Sequence, residues 1–429
     1  MLAVLRQRNF ALVWLAGLIS LTGDWFLLVA LPFSVYGFTG SNAATAATVA
    51  SRVLPRFLLS SVAGLYVDRW DRRRTMVIAN LLLGVAILPL ILVRTADWLW
   101  LLYSVSLVQS ALAQFVSPAK NALLPRLVAE QDLVPANALN GLSENFALLV
   151  GPALGGLVTA AWGLTGATLL DAASFAIAAA LVSLVAADSR AVRAAPSPTT
   201  PDEFPSTWAG AWIKVWREWL AGLMFVRRDR IVATIFLFWV IGGLGEGVFS
   251  SLLVPFVSTV LGADSFGYGL VVGAQAVGGV VGSIAIGRVG RRLPPERLFA
   301  LGAIGVGTID LLTFNAHRLF PGIPVPIILM IIVGLPAAGV GIGYTTLLQR
   351  VVPDEFRGRV FGSLMAAISL ALLIGSGVAG ALGNRVDITT MLSVQAISFP
   401  LAGLFALLTL SPATITRSER AQANPEASS

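Results

Sequence analysis

Charged residues inside long apolar segments are the residues of this sequence with the most evident capacity for chemistry. Asp24 lies midway along one such segment, Arg52 and Arg56 lie in the next, and Glu246 lies in a segment of the second half. A charged side chain within the hydrocarbon of a bilayer costs at least about 2.5 kcal/mol on insertion scales. Each of these residues is therefore a candidate for a functional role.

Their spacing predicts how they pair. If the chain turns back near Gly40, Asp24 and Arg56 lie at similar depth and can form a buried ion pair. A carboxyl group removed from water takes up a proton more readily, whereas a nearby arginine keeps it ionised. The sequence therefore favours Glu246 as the proton carrier and Asp24 as a substrate or gating contact, held by Arg52 or Arg56. The alternative is an inert structural ion pair.

Glu144 is a further acidic candidate. It follows Asn137 and Asn140 at helical spacing, so the three form one polar stripe on a predicted helix. Such a stripe is typical of a cavity wall, and a loop contact is the alternative.

The elements that must position these residues are membrane-spanning helices. Of the 429 residues 56% are apolar and only 12% are charged, against roughly 25% charged in a soluble domain. A crossing needs about 20 mostly apolar residues. The sequence predicts an all-α membrane protein with twelve spans, near 10–38, 42–67, 75–94, 98–119, 137–163, 166–187, 231–261, 266–287, 296–316, 323–347, 358–384 and 388–411.

Composition also argues against several classes. The chain has no cysteine and one histidine, His317, so no metal site, disulfide or cofactor is expected. No nucleophile with a partner base and no phosphate-binding loop of an ATPase is present, so an enzyme is not expected. The net charge of +7 comes from basic residues in short loops, which argues against a nucleic-acid partner.

Four regions follow from this pattern. They are an N-terminal six-helix half (1–187), a cytoplasmic linker with an interfacial amphipathic helix (188–229), a C-terminal six-helix half (230–412) and a disordered tail (413–429). Trp208, Trp212, Trp216 and Trp219 recur at helical spacing and define the amphipathic helix.

Orientation follows from the distribution of positive charge. Most of the 29 Lys and Arg residues lie on one side of the predicted spans, and the opposite loops carry only Arg94, Arg318 and Arg385. Since positive loops stay cytoplasmic, both termini are expected on the cytoplasmic side of the cell (inner) membrane.

The two halves repeat each other at one constant offset. Ala147-Leu148-Leu149 matches Ala371-Leu372-Leu373, and Ala172, Ser174 and Phe175 match Ala396, Ser398 and Phe399. Outside that constant offset, Gly23-Asp24 in the first span also resembles Gly245-Glu246 in the seventh. Two like-oriented halves predict a binding site at their interface near the bilayer midplane.

A signature follows the second predicted span. Gly64, Asp68, Arg69, Arg72 and Arg73 occupy the spacing of the G-x-x-x-D-R-x-G-R-R motif of the major facilitator superfamily, which this chain resembles, with Asp71 where the motif has glycine. Gly64 would permit close helix approach, and Asp68 would accept hydrogen bonds in a conformational latch. Alternatively, the arginines only hold the loop on one side.

A second motif lies in the fifth predicted span. Gly151, Pro152, Gly155 and Gly156 resemble the glycine and proline motif of antiporters in that superfamily, with Ala147 at its first position. Nearly the whole chain is similar to the drug:proton antiporter group that contains macrolide efflux proteins and the enterobactin exporter. In that fold the spans of Asp171 and Asp310 are peripheral, so a structural role is favoured for both.

The resemblance implies a secondary transporter that exports amphiphilic drugs, macrolides or siderophore-like molecules by proton antiport, with consequences for antibiotic resistance. The implied partners are a small-molecule substrate, protons and membrane lipids, and a monomer is expected. The alternatives are a lipid or lysophospholipid flippase of the same fold and a transport-inactive membrane receptor.

Overall fold

The backbone is almost entirely helical. A computed structural model of the chain describes residues 2–67, 70–186, 208–289 and 293–410, and no β-strand occurs within them. The apolar segments become helices because a helix satisfies its main-chain N–H and C=O groups internally, as a bilayer requires. The α-helices are α1 (Arg8–Thr39), α2 (Asn42–Val67), α3 (Arg72–Ile87), α4 (Leu99–Ala113), α5 (Val116–Leu123), α6 (Leu133–Ser183), α7 (Trp208–Arg228), α8 (Arg230–Pro255), α9 (Ser265–Val289), α10 (Pro295–Asn315), α11 (Pro324–Val351), α12 (Asp354–Leu382) and α13 (Ile388–Thr409).

Ten segments of the described chain are long and apolar enough to cross a bilayer. One of them, Glu130–Ser183, has 54 residues, more than twice the length that one crossing needs. It contains α6, which is broken at Gly163, where a φ of 61° leaves the helical region. Glycine adopts this conformation without steric cost. α2 has 26 residues and is not among the ten. The all-helical membrane fold is confirmed, and the number of twelve spans stays a prediction.

The chain divides into two compact units. The first comprises Met1–Thr39 and Ser51–Trp216, and the second comprises Gly40–Ala50 and Arg217–Ser429. The boundaries therefore fall inside α2 and α7. Within the predicted linker, 208–228 forms α7, while 188–207 lie outside the described residues, as does the predicted tail.

In the first unit, α6 is the central helix, and both α1 and α3 pack against it. Val13 and Ala16 of α1 join Met76 of α3 and Ala178 and Val182 of α6 in one apolar cluster. The opposite face of α3 is apolar and exposed, as expected of a surface that faces lipid. It presents Ile78, Leu81, Leu82 and Val85.

In the second unit, α8 packs against α12 and α13, α10 against α11 and α13, and α9 against α11. Aromatic rings fill its core: the ring centroids of Phe238 and Phe299 are 4.6 Å apart, edge to face. The start of α2 belongs to this unit, and Asn42 Nδ2 donates a hydrogen bond of 2.6 Å to the Gly383 carbonyl. This packing fixes α8, which carries Glu246.

Candidate functional site

Asp24 follows a glycine that brings α1 against the second part of α6. A Cβ at Gly23 would lie 2.9 Å from Asp171 Oδ1 and would overlap the Ser174 side chain. Because only hydrogen occupies that space, the two helices approach closely at this level. Asp24 therefore directly follows Gly23, the residue at which α1 approaches the Asp171 carboxyl group.

Asp171 is fully buried, at 0% exposure. The Ser174 hydroxyl donates to the Asp171 main-chain oxygen at 2.8 Å and lies 3.2 Å from its Oδ1. Its other carboxyl oxygen, Oδ2, is buried with no hydrogen-bond partner among the described residues. The sequence favoured a structural role for Asp171, but the structure places it beside the Asp24 site.

Arg52 is the cation of this site. It interacts electrostatically with both Asp24 and Asp171. It is half-buried, and its main-chain oxygen accepts a hydrogen bond from Ser110 Oγ, which ties this turn of α2 to α4. Arg56, predicted at the depth of Asp24, is exposed. When two helices cross at an angle, residues equally far from the turn that joins them do not lie at equal depth. This accounts for the difference of one helical turn between Arg56, which was predicted, and Arg52.

Glu246 occupies the corresponding place on α8 in the second unit. Ser250 Oγ donates a 2.8 Å hydrogen bond to Glu246 Oε1, and the Glu246 side chain is exposed. Asp310 of α10, at 8% exposure, interacts electrostatically with Glu246. The second unit therefore also contains two neighbouring acidic groups.

The glycine contact recurs as well. A Cβ at Gly245 would lie 2.9 Å from Gln395 Cγ, just as a Cβ at Gly23 would meet Asp171. Gln395 occupies the position of Asp171 at the constant offset of the repeat. In both units a polar side chain packs against the glycine that precedes Asp24 or Glu246. This side chain is the acid Asp171 in the first unit and the neutral Gln395 in the second.

Glu144 is exposed on the first part of α6, and its electrostatic partner is Lys120 of α5. Lys120 reaches α1, since its Nζ would lie 3.7 Å from a Cβ at Gly17. Sequence reasoning missed Lys120 as a site residue. Its position inside an apolar segment, as the only lysine between residues 1 and 213, was the available signal.

The glycine and proline motif packs α6 against α1. A Cβ at Gly155 would lie 2.5 Å from the Trp25 main-chain oxygen, and one at Gly151 would overlap the Trp25 ring. Pro152 and Gly156 are buried in the same stretch. The motif therefore sets the distance between α1, which carries Asp24, and the first part of α6, which carries Glu144.

The signature after α2 is described only in part, since Asp68 and Arg69 lie outside the described residues. A Cβ at Gly64 would meet no described atom within 4 Å, so the expected close helix approach is not seen among the described residues. Asp71 caps α3 by accepting a 2.7 Å hydrogen bond from the Arg74 N–H. This cap explains why an acid stands where the family motif has glycine.

The arginines of the signature begin α3. Arg73 donates hydrogen bonds to the main-chain oxygens of Val182, at 3.3 Å through Nε, and of Ser183. These carbonyls lie in the last turn of α6, at the negative end of the helix dipole, so a guanidinium suits them well. Arg72 is half-buried beside it.

The described residues contain no group of three or more His, Asp or Glu side chains that could hold a metal ion. The arrangement can instead bind protons or cations at two places in the membrane, Asp24 with Asp171 and Glu246 with Asp310. Charged groups at such depth are typical of substrate and ion pathways.

A helical membrane fold with buried acidic groups in each of two repeated units is typical of a secondary transporter. The chain matches the family described as Transmembrane secretion effector over residues 1–427 and belongs to it. This family falls within the major facilitator superfamily that the motifs indicated.

Relatives and solved structures agree with this assignment. The chain is 26% identical to the MFS-type transporter YfiS of Bacillus subtilis over 94% of this chain and 93% of that protein. It is 24% identical to the enterobactin exporter EntS of Citrobacter koseri, over 94% and 91% of the two chains. Because these relatives are transporters, the prediction that the chain is not an enzyme is confirmed.

The fold matches solved transporters at low identity. A peptide transporter in complex with sulfate superposes with a TM-score of 0.73 at 13% identity, covering 96% of this chain and 95% of that one. A bacterial homologue of the iron transporter ferroportin gives 0.69 at 16% identity, covering 96% and 98%. These likenesses establish the fold.

Proposed function

We propose that this chain exports amphiphilic small molecules by proton antiport through alternating access. The observation that carries the proposal is the pair of acidic sites: Asp24 with Asp171 in the first unit and Glu246 with Asp310 in the second. Carboxyl groups are costly in a bilayer, and an exchange of protons for substrate gives them a function there.

The two sites take different roles because their neighbours differ. Asp24 has Arg52 as its cation, whereas Glu246 has Ser250 as a hydrogen-bond donor and Asp310 as an acidic neighbour. We assign proton binding to Glu246, and we assign a substrate or gating contact to Asp24. Glu144, paired with Lys120, forms a further polar contact in the first unit.

The proton gradient is the proposed energy source. A proton that enters down the membrane potential supplies about 2.3 kcal/mol per 100 mV. Since about 1.4 kcal/mol changes an equilibrium tenfold, one proton shifts the balance of two conformations by more than tenfold.

The direction of transport and the substrate class rest on the relatives and on the glycine and proline motif. Relatives over 94% of the chain are named as enterobactin exporters. We propose siderophore-like molecules, macrolides and other drugs as the substrate class, with antibiotic resistance as a consequence. The transporter acts as a monomer in the cell (inner) membrane, in contact with its lipids and with both termini cytoplasmic.

The signature from Gly64 to Arg73 completes the proposal. Gly64, Asp68, Arg69, Arg72 and Arg73 act as the proposed conformational latch, and the hydrogen bonds of Arg73 to the end of α6 support the role of its arginines. The latch changes the balance of conformations and leaves the acidic sites intact.

A groove in the second unit favours a second candidate, a lipid or lysophospholipid flippase. The groove has a volume of about 440 Å³ and apolar walls from α8, α12 and α13, including Leu244, Val378 and Val394. It reaches Gly245 and Gln395, next to Glu246. An acyl chain fits these walls, and a headgroup would then lie near the acidic site.

Everted membrane vesicles test the proposal. A cationic dye, a macrolide and a catecholate siderophore are each supplied with and without a proton uncoupler. We expect uptake of at least one that the uncoupler abolishes. Glu246→Gln should make exchange independent of the pH gradient, while Glu130→Gln, which changes an exposed loop residue, should behave as wild type.

Transport that the uncoupler does not change would refute proton antiport. A lack of transport of all three molecules, together with movement of fluorescent lysophospholipid between leaflets of proteoliposomes, would establish the flippase instead.

A further inference from the structure

The proposed exchange of protons for substrate assigns no separate role to Asp171. It is fully buried, at 0% exposure, and its Oδ2 has no hydrogen-bond partner among the described residues. An ionised carboxylate in such a place costs far more than a neutral carboxyl group. The position calls for a positive partner or a proton.

Three side chains interact with Asp171. Asp24 of α1 and Arg52 of α2 do so electrostatically, and the Ser174 hydroxyl of α6 itself does so by a hydrogen bond. α3 contributes no charge at this level: a Cβ at its Gly84 would lie 3.4 Å from the Ala172 main-chain oxygen. The site thus contains two carboxyl groups and one guanidinium.

We infer that Asp24 and Asp171 hold a single proton between them, and that Asp171 carries it when Arg52 compensates Asp24. In this state Arg52 and Asp24 are ionised, Asp171 is a neutral acid, and the net charge of the three groups is zero. Release of the proton from Asp171 leaves a net charge of −1. A cation at Asp24 restores neutrality.

This inference rests on the proposed function for its role in transport and extends it to the substrate. One proton leaves when one positive charge enters, so the first unit selects cationic amphiphiles. Glu246 then remains the site that responds to the proton gradient in the second unit.

The repeat supports a neutral form of Asp171. Its counterpart Gln395 is uncharged, is 8% exposed and makes the matching contact with Gly245. The fold therefore accommodates a neutral planar polar group in this contact, which is what a protonated Asp171 presents.

Infrared difference spectroscopy of the purified full-length protein in lipid nanodiscs tests the inference without any transport measurement. A pH change reveals the carbonyl stretch of each carboxyl group that gains a proton, and this band shifts in D₂O. We expect Asp171→Asn to lose one protonation event per molecule relative to wild type. Asp24→Asn should lose the same event, because Asp171 then pairs with Arg52 and stays ionised.

The double variant Asp24→Asn with Asp171→Asn should lose no more than either single variant does. Asp97→Asn, in an exposed segment, is the matched control and should leave this event unchanged. Should Asp171→Asn fail to fold, Arg52→Gln gives the same answer, since removal of the cation should add a second protonated carboxyl group.

Two separate losses that add in the double variant would overturn the sharing of one proton, and spectra unchanged by both single variants would overturn the proton site. Export without proton dependence, with the shared event intact, would refute the proposed function and the exchange of this proton for a cation, but it would leave standing the sharing of one proton by Asp24 and Asp171.

Discussion

A Cβ at Gly155 of α6 would lie 2.5 Å from the main-chain oxygen of Trp25 on α1, so no side chain separates the two helices there. Main-chain atoms cannot move aside as the end of a long side chain can. We expect Gly155→Ala to destabilise the protein by about 1–3 kcal/mol, the usual cost of overpacking. Thermal unfolding of the detergent-purified protein measures this.

Gly141→Ala is the control on the same helix, because a Cβ there would meet no described atom within 4 Å. It should leave stability unchanged or raise it slightly, since alanine favours a helix more than glycine does. Equal melting temperatures for both variants would contradict the close contact of α1 and α6.

Arg73 should stabilise the first unit through the carbonyls that end α6. Arg73→Ala should cost about 1.5–3 kcal/mol, the range for hydrogen bonds to charged groups. Arg73→Lys keeps the charge but loses the planar fork, so it should restore only part of the stability. Full rescue by lysine would show that positive charge alone matters at this position.

Arg52 should be the arginine that neutralises the acidic site. Arg52→Gln leaves two carboxyl groups without their cation, and we expect a loss of about 1–3 kcal/mol, since Arg52 is half-buried. Adding Asp24→Asn should restore part of the loss. The control is Arg56→Gln, one turn further along α2 and exposed, which should unfold at the wild-type temperature.

Asp68 and Asp71 should differ in function although they lie three residues apart. Asp68→Asn should slow export and leave membrane insertion intact, because it weakens the proposed latch. Asp71→Asn should transport normally, because asparagine caps a helix as well as aspartate does. Wild-type transport by the Asp68 variant, measured in everted vesicles, would show that the motif only holds the loop on one side.

The orientation can be measured directly because the chain has no cysteine. Asp97→Cys and Phe320→Cys, both at exposed positions, should react with an impermeant maleimide added to whole cells. Arg190→Cys and Arg420→Cys should react only after the cells are opened. The reverse pattern would invert the assignment of both termini to the cytoplasm.

Much of the fold could be predicted because local chemistry determines it. The predicted second span, 42–67, has the same bounds as α2, since Gly40 with a φ of 59° breaks the helix before Asn42. The break at Gly163 likewise lies at the predicted end of the fifth span. Runs of apolar residues and a glycine between them suffice for such boundaries.

The residues that interact within the candidate site could not be predicted from the sequence in the same way. Asp171 follows Asp24 by well over a hundred residues, and the packing of α1 on α6, closest here where Gly23 meets Ser174, brings them together. The repeat also concealed this relation, because Gln395 replaces the acid in the second unit. Arg52 rather than Arg56 faces Asp24, a choice that depends on how helices cross and that residue counting cannot supply.

The turn at Gly163 has a consequence for biosynthesis. Because the single residue Gly163 joins the two parts of α6, we expect both to enter the membrane together as a helical hairpin. Trp162, which is 64% exposed, lies at its tip. Asp171 then enters the membrane on the same hairpin as the glycines that pack against α1, and the transfer of its carboxyl group out of water is part of the cost of that insertion.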